Sequence, residues 1–270
     1  MRVSDVLKLL REKDGSARVL AEETLDLTRQ QMLLYPEKEI SEQTRALLEK
    51  RLLELENGRP LQYILGRWEF EGRQFCVGEG VLIPREDTEA VLSLAKQVLK
   101  SRSNAVFADL GSGSGCIAVS LNLDCGAKGY AVERSEKAFC YLEKNVKALG
   151  AEVTAVLGDM FEPQLIEALP QLDLVVSNPP YITGAEMQEL EPSVLREPHE
   201  ALFGGEDGLE YYRKICSMYY PKLKEGGAIA FEVGFKQADE VSKILKKAGF
   251  HSLREQKDLG EIRRAVCAFK

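Results

Sequence analysis

The stretch Ala108-Asp109-Leu110-Gly111-Ser112-Gly113-Ser114-Gly115-Cys116 sits where an apolar strand turns into a helix. Glycines there let the backbone take positive φ and let a ligand approach with no Cβ in the way. In an open α/β sheet, the crevice at the carboxyl ends of the strands is where nucleotides bind. The surrounding pattern fits that fold. Strands are expected at Ala105–Leu110, Gly129–Glu133, Glu152–Leu157, Leu172–Ser177 and Ala228–Val233, alternating with helices that begin with Thr88–Leu99. Such alternation predicts a mostly parallel sheet covered on both faces. Strand-like stretches at His251–Glu255 and Ala265–Phe269 would add an antiparallel pair at one edge, completing a seven-stranded, Rossmann-like α/β domain.

Two further carboxylates extend the site. Glu133 closes the next strand about twenty residues on, where a carboxylate can accept hydrogen bonds from both ribose hydroxyls. Asp159, in Gly158-Asp159-Met160-Phe161, ends the third strand and is placed to meet an adenine edge beside apolar walls. Nicotinamide enzymes usually show Gly-x-Gly-x-x-Gly, with a pyrophosphate on the helix start. Here the spacing is Gly-x-Gly-x-Gly, and Asp109 stands just before it. An acid there repels a pyrophosphate but suits a ligand carrying an ammonium and a sulfonium. The pattern therefore predicts S-adenosylmethionine, held by Asp109, Gly111, Ser112, Gly113, Ser114, Gly115, Glu133 and Asp159.

The fourth strand ends in Ser177-Asn178-Pro179-Pro180-Tyr181. Each proline pushes the residue before it out of the helical region, so the segment is extended and stiff. A stiff loop can aim the Asn178 side-chain oxygen and the Pro179 carbonyl at one NH2 group. An amide nitrogen is a poor nucleophile because its lone pair is delocalised into the carbonyl. Acceptors off the amide plane favour a pyramidal nitrogen and stabilise the charge that grows as a methyl group arrives. Tyr181 offers a flat face for a planar amide or base. Asn178, Pro179 and Tyr181 are the candidate catalytic residues, and Asn178 to Tyr181 line the candidate substrate pocket.

Ahead of this domain the chain reads as small amphipathic helices. One carries Val3, Val6, Leu7 and Leu10, with Ser4 as cap and Gly15 as stop. A second starts at Ser16 and carries Val19, Leu20 and Leu27. A third starts at Ser41 and carries Leu47, Leu48, Leu52 and Leu55. Pro60 opens a short one through Ile64, closed by Gly66. Trp68–Phe70 and Gln74–Val77 alternate around Glu71-Gly72 as a hairpin. The expected division is a helical domain at 1–66, a hairpin linker at 67–84 and the α/β domain at 85–270.

Composition limits what this architecture can serve. The formal charge of −7 gives no general field for phosphates. Six scattered cysteines without a Cys-x-x-Cys pair, and only His199 and His251, argue against a metal site and for reduced thiols. No apolar run is long enough to cross a bilayer, and the first residues lack a signal pattern. A cytoplasmic monomer acting without DNA, membrane or metal is expected.

The motif Asn178–Tyr181 is shared by methyltransferases of adenine, of guanine in ribosomal RNA, and of glutamine. Outside it, the chain resembles one family. Arg59-Pro60-Leu61-Gln62-Tyr63-Ile64-Leu65-Gly66 with Glu69-Phe70, and Leu82-Ile83-Pro84-Arg85 with Asp87-Thr88-Glu89, look like the peptide chain release factor glutamine-N5 methyltransferases. So do Glu197-Pro198, Ala201-Leu202, Gly204-Gly205, Asp207-Gly208-Leu209 and Tyr212-Arg213. The resemblance covers nearly the whole chain. It implies a class I methyltransferase fold and methylation of the glutamine in the Gly-Gly-Gln loop of class I release factors, with the front domain helping to hold that partner; it also implies that Met160 lies near the adenine and that Asn178 touches both cofactor and substrate. Glu86 and Glu133 depart from the family's usual proline and aspartate. The competing expectation is an adenine-N6 nucleic-acid methyltransferase, which would need a basic groove and a way to extract a base from the stack.

Overall fold

A computed structural model describes residues 1–270, the side chain of Glu12 excepted. Two compact units divide the chain: Met1–Arg67 with Glu191–Arg196, and Trp68–Leu190 with Glu197–Lys270.

The first unit contains α1 (Val3–Leu9), α2 (Gly15–Leu25), α3 (Arg29–Leu34), α4 (Glu42–Glu56) and α5 (Leu61–Leu65). Val3, Val6, Leu20, Met32, Leu48 and Leu52 form its buried interior. Several helix boundaries differ from the sequence expectation. Arg2, not Ser4, occupies the N-cap of α1, where its amide donates to the Asp5 carboxylate at 2.9 Å. Asp14 caps α2 by accepting from the Ala17 amide at 3.0 Å, so Gly15 opens that helix instead of ending the one before. Asp26 takes a left-handed φ of 51° and stops α2 short of Leu27. Val19 and Leu47, expected in the interior, are 40% and 42% exposed. α3 is an addition: it is six residues long, and its signal is a capping box in which Thr28 and Gln31 each bond the other's backbone.

The second unit begins with the hairpin β1 (Arg67–Phe70) and β2 (Arg73–Cys76). Glu71 and Gly72 both have positive φ, 51° and 70°, as a tight two-residue hairpin turn requires. After it come α6 (Thr88–Lys100), β3 (Val106–Leu110), α7 (Cys116–Cys125), β4 (Lys128–Glu133), α8 (Glu136–Leu149) and β5 (Val153–Leu157). The chain continues through α9 (Pro163–Ala168), β6 (Leu172–Ser177), α10 (His199–Leu202), α11 (Glu210–Tyr219), β7 (Leu223–Glu232), α12 (Ala238–Lys247), β8 (His251–Lys257) and β9 (Arg263–Phe269). The seven-stranded sheet has the order β5-β4-β3-β6-β7-β9-β8. β3 to β7 run parallel, and β9 is antiparallel to both β7 and β8.

Strand periodicity explains the two covered faces. Phe107, Ala131, Leu174, Val176, Ala228 and Ala230 point into one core with α6 and α7. Ala108, Leu110, Val132, Val175, Ile229 and Phe231 point into the other with α11 and α12. Successive side chains alternate between faces, so near-continuous apolar strands must be covered twice. From β3 the strand order runs to β4 on one side and β6 on the other. That reversal opens a crevice at the carboxyl ends of β3 and β6. The Ser177 hydroxyl donates to the Leu110 carbonyl at 2.6 Å and clamps the two strand ends together there. No helix among the described residues is long and apolar enough to cross a membrane.

Candidate active site

The glycine turn after β3 owes its shape to two buried carboxylates. Gly111, Gly113 and Gly115 have φ of 73°, 54° and 81°, a region that residues with a Cβ rarely enter. Gly115 is the N-cap of α7 and has no side chain to satisfy the helix's free amides. Asp109 supplies the missing acceptor from β3: its Oδ2 accepts the Ala118 amide at 3.1 Å. Its Oδ1 is buried without a hydrogen-bond partner among the described residues. Burial pushes the Asp109 carboxyl up to about 7, and the Ala118 amide opposes the rise. Glu133 braces the same turn from β4. Its Oε2 accepts the Gly113 amide at 2.8 Å and its Oε1 the Ser135 amide at 2.8 Å. Each carboxylate oxygen keeps a second lone pair for a ligand.

Above this turn lies a cleft of about 960 Å³, counting space open to solvent. Gly111, Ser112, Gly113, Ser114, Glu133, Asp159, Met160, Asn178 and Pro180 all line it. The elements that follow β3, β4, β5 and β6 thus converge as the sequence predicts. Asp109, Gly115, Pro179 and Tyr181 do not line it: the first two shape the turn from beneath, and Pro179 is buried. Asp159 accepts the Phe161 amide at 2.9 Å, which folds the loop after β5 back on itself. Met160 is fixed by the Tyr219 hydroxyl, which donates to its carbonyl at 2.7 Å. Phe161 and Tyr211, whose rings lie 5.6 Å apart, extend the apolar wall. Sequence reasoning missed Tyr211 and Cys116 as lining residues. Burial pushes the Cys116 thiol to about 12, so it stays protonated.

The Asn178–Tyr181 segment is held from outside by distant backbone. The Ile182 amide donates to the Leu202 carbonyl at 2.9 Å, and the Gly204 amide returns a bond to the Ile182 carbonyl at 2.9 Å. A Cβ on Gly204 would stand 2.6 Å from the Pro180 carbonyl oxygen, and one on Gly208 would stand 2.3 Å from that of Tyr181. Gln237 Nε2 donates to the same Tyr181 oxygen at 3.0 Å. Asn178 Nδ2 donates to the Thr88 hydroxyl at 3.4 Å, so the amide oxygen has no protein partner among the described residues. The Tyr181 hydroxyl turns inward and donates to Glu232 at 3.3 Å.

On the opposite rim, Leu82, Ile83, Pro84, Arg85 and Pro198 line the cleft. Buried Glu197 joins them: it accepts the Ile83 amide at 3.0 Å and forms an ion pair with Arg85. Sequence segments more than a hundred residues apart therefore form one wall.

These residues fit S-adenosylmethionine by their chemistry. A glycine-rich turn, an acid with free lone pairs at the end of β4 and an apolar wall by Met160 surround one cleft. The comparisons with known proteins agree. Residues 3–66 match the family described as the PrmC N-terminal domain, and residues 87–206 the Methyltransferase small domain. A release factor glutamine methyltransferase of Geobacter sulfurreducens is 41% identical, over 77% of this chain and 72% of the relative. One of Bacillus cereus is 34% identical over 93% of each chain. Among solved structures, a methyltransferase from Pyrococcus furiosus matches the fold with a TM-score of 0.58 at 17% identity, covering 82% of this chain and 98% of that one. With glycine turn, Asn-Pro-Pro-Tyr segment and these relatives in agreement, this chain belongs to the release factor glutamine methyltransferases, enzymes that use S-adenosylmethionine.

Proposed function

We propose that this protein methylates the side-chain nitrogen N5 of the Gly-Gly-Gln glutamine in a class I peptide chain release factor. The observation that carries the reading is the position of Asn178 at the β3/β6 crevice. Asn178 lines the cleft shared with Gly111–Ser114 and Glu133, and its Nδ2 is held by Thr88 while Oδ1 has no partner among the described residues. S-adenosylmethionine supplies, when bound, a methyl group made electrophilic by its sulfonium. Backbone groups of Gly111, Ser112, Gly113 and Ser114 cradle that cofactor, and the remaining lone pairs of Glu133 accept from its ribose. Asp159 and Met160 border the adenine, while Asp109 and Gly115 act by fixing the turn. Asn178 Oδ1 would accept from the glutamine NH2 and stabilise the charge that grows on it, with Pro179 buried beneath it as support. Pro179, Pro180 and Tyr181 keep Asn178 rigid, which would hold the substrate nitrogen in a fixed orientation for the transfer.

A lone glutamine side chain offers little binding energy, which leaves the helical unit at 1–66 to grip a folded partner. The hairpin at 67–84 links it to the transferase domain at 85–270. The acidic balance favours a protein substrate over DNA. We place the enzyme in the cytoplasm as a monomer. The test is transfer of labelled methyl from S-adenosylmethionine to a release factor. Labelling should disappear when the Gly-Gly-Gln glutamine is replaced. Unchanged labelling after that replacement would refute the site assignment.

A further inference from the structure

Glu232 ends β7, and its carboxyl is buried behind the Asn178–Tyr181 segment, outside the cleft. Its Oε1 accepts the Tyr181 hydroxyl at 3.3 Å, and Oε2 has no hydrogen-bond partner among the described residues. Thr88, 2% exposed, opens α6 beside both Glu232 and Asn178. Its Oγ1 accepts Asn178 Nδ2 at 3.4 Å, and among the described residues its own proton reaches no acceptor in hydrogen-bond geometry. α6, which Thr88 opens, packs against β7, which Glu232 ends. A buried hydroxyl proton without an acceptor and a buried carboxylate oxygen without a donor thus flank the same Asn178–Tyr181 segment. Each is costly alone, and a small rotation that pairs them would remove both costs.

We infer that Glu232 is a positioning residue that takes the Thr88 proton and thereby sets which end of the Asn178 amide faces the reacting nitrogen. The inference rests on reading the cleft as a glutamine-methylating site. A threonine hydroxyl has one proton. When that proton points at the Glu232 carboxylate, Oγ1 shows Asn178 only lone pairs. Nδ2 then turns to Thr88, and Oδ1 stays in the cleft as the acceptor that an incoming NH2 requires. A protonated Glu232 can donate to Thr88 instead, releasing the Thr88 proton toward Asn178. The amide then turns over and presents a donor to a donor.

The groups around Glu232 decide when this happens. Burial pushes its carboxyl up to about 7; Thr88 opposes the rise, Asp87 adds to it, and Tyr181 and Arg264 oppose it. Tyr212, whose hydroxyl donates to the Glu232 carbonyl at 2.9 Å, and Cys116 are both held protonated by burial. The ionised carboxylate is the competent form, so turnover falls as pH falls through about 7.

The experiment measures kcat and KM for a release factor between about pH 5.5 and 9, with wild type, Glu232→Gln, Thr88→Val and Thr88→Ser. A glutamine replaces one of the two acceptor oxygens with an NH2 donor, so Tyr181 and Thr88 can no longer each find an acceptor at a separate atom. Glu232→Gln should lower kcat about 10-fold or more, leave KM within about twofold and lose the acid limb near 7. Thr88→Val should lower kcat likewise, and Thr88→Ser should restore it to within about threefold. Wild-type kcat with an intact acid limb in Glu232→Gln overturns the inference, as does a loss confined to KM. If Glu232→Gln shows no folded transition, the Thr88 pair decides: equal activity of the valine and serine variants overturns the inference. A wild type that leaves release factor unlabelled defeats the glutamine reading itself, and the inference with it.

Discussion

The carboxylate of Glu133 and the amide of Gly113 are 2.8 Å apart, so an acid at the end of β4 holds the glycine turn that follows β3. Glu133 therefore shapes the cradle before any ligand arrives.

Glu133→Ala should reveal both roles. Two backbone amides lose their acceptor, which costs about 1–3 kcal/mol of stability for each buried donor left unpaired. Thermal unfolding of the free protein should fall by several degrees. Separately, the increase in melting temperature produced by saturating S-adenosylmethionine should shrink. An undiminished ligand-induced shift would remove Glu133 from the cofactor site.

Asn178→Ala separates chemistry from folding. Removing an acceptor directed at the reacting nitrogen should lower turnover by roughly 100-fold or more, on the scale of other lost transition-state hydrogen bonds. The side chain makes only one long hydrogen bond, at 3.4 Å to Thr88, so the melting temperature should barely change. Near-normal turnover would rule out the proposed role.

Two glycine substitutions probe the support of the Asn178–Tyr181 segment. Gly204→Ala places a Cβ 2.6 Å from the Pro180 carbonyl oxygen and must displace that backbone. It should reduce kcat/KM by about 10-fold or more, since sub-ångström misplacement at a reacting centre is costly. Gly126→Ala meets nothing within 4 Å, and only its φ of 64° is unfavourable. It should cost about 1 kcal/mol of stability and leave kcat/KM unchanged. Equal activities in the two variants would show that the loop tolerates movement.

Asp109 makes stability depend on pH. Burial raises its folded-state pKa from 3.8 to about 7. The folded chain thus keeps a proton that the unfolded chain has lost within that window. This contribution is fully present below the unfolded pKa and is lost as pH rises through about 7. Asp109→Asn has no such loss. Relative to wild type, its melting temperature should be higher at pH 8 than at pH 5, because Glu232 titrates in both proteins alike. Parallel curves across that range would contradict the assignment.

Much of this was legible in the sequence because it is periodic or local. The strands showed as apolar runs, and the glycine turn with its following acids lies within one stretch of chain. Pairings across distance were not legible. Nothing in the local pattern says that Asp109 caps α7 through Ala118, or that Glu197 accepts from Ile83 and Arg85. Tyr181 read as a face for the substrate, yet its hydroxyl turns to Glu232, because the sheet sets β7 beside β6. β7 begins at Leu223, five residues before the expected start, since Gly226-Gly227 within the strand reads locally as a turn. α3 escaped notice because Leu33 and Leu34 are 60% and 71% exposed, which leaves only Met32 as an inward apolar position.

The most direct measurement offers the wild-type enzyme labelled S-adenosylmethionine with a class I release factor, ribosomal RNA and DNA side by side. Label should enter the release factor at its Gly-Gly-Gln glutamine and leave both nucleic acids unmarked. Efficient labelling of RNA or DNA with the release factor unlabelled would contradict the account and point to an adenine-type substrate instead.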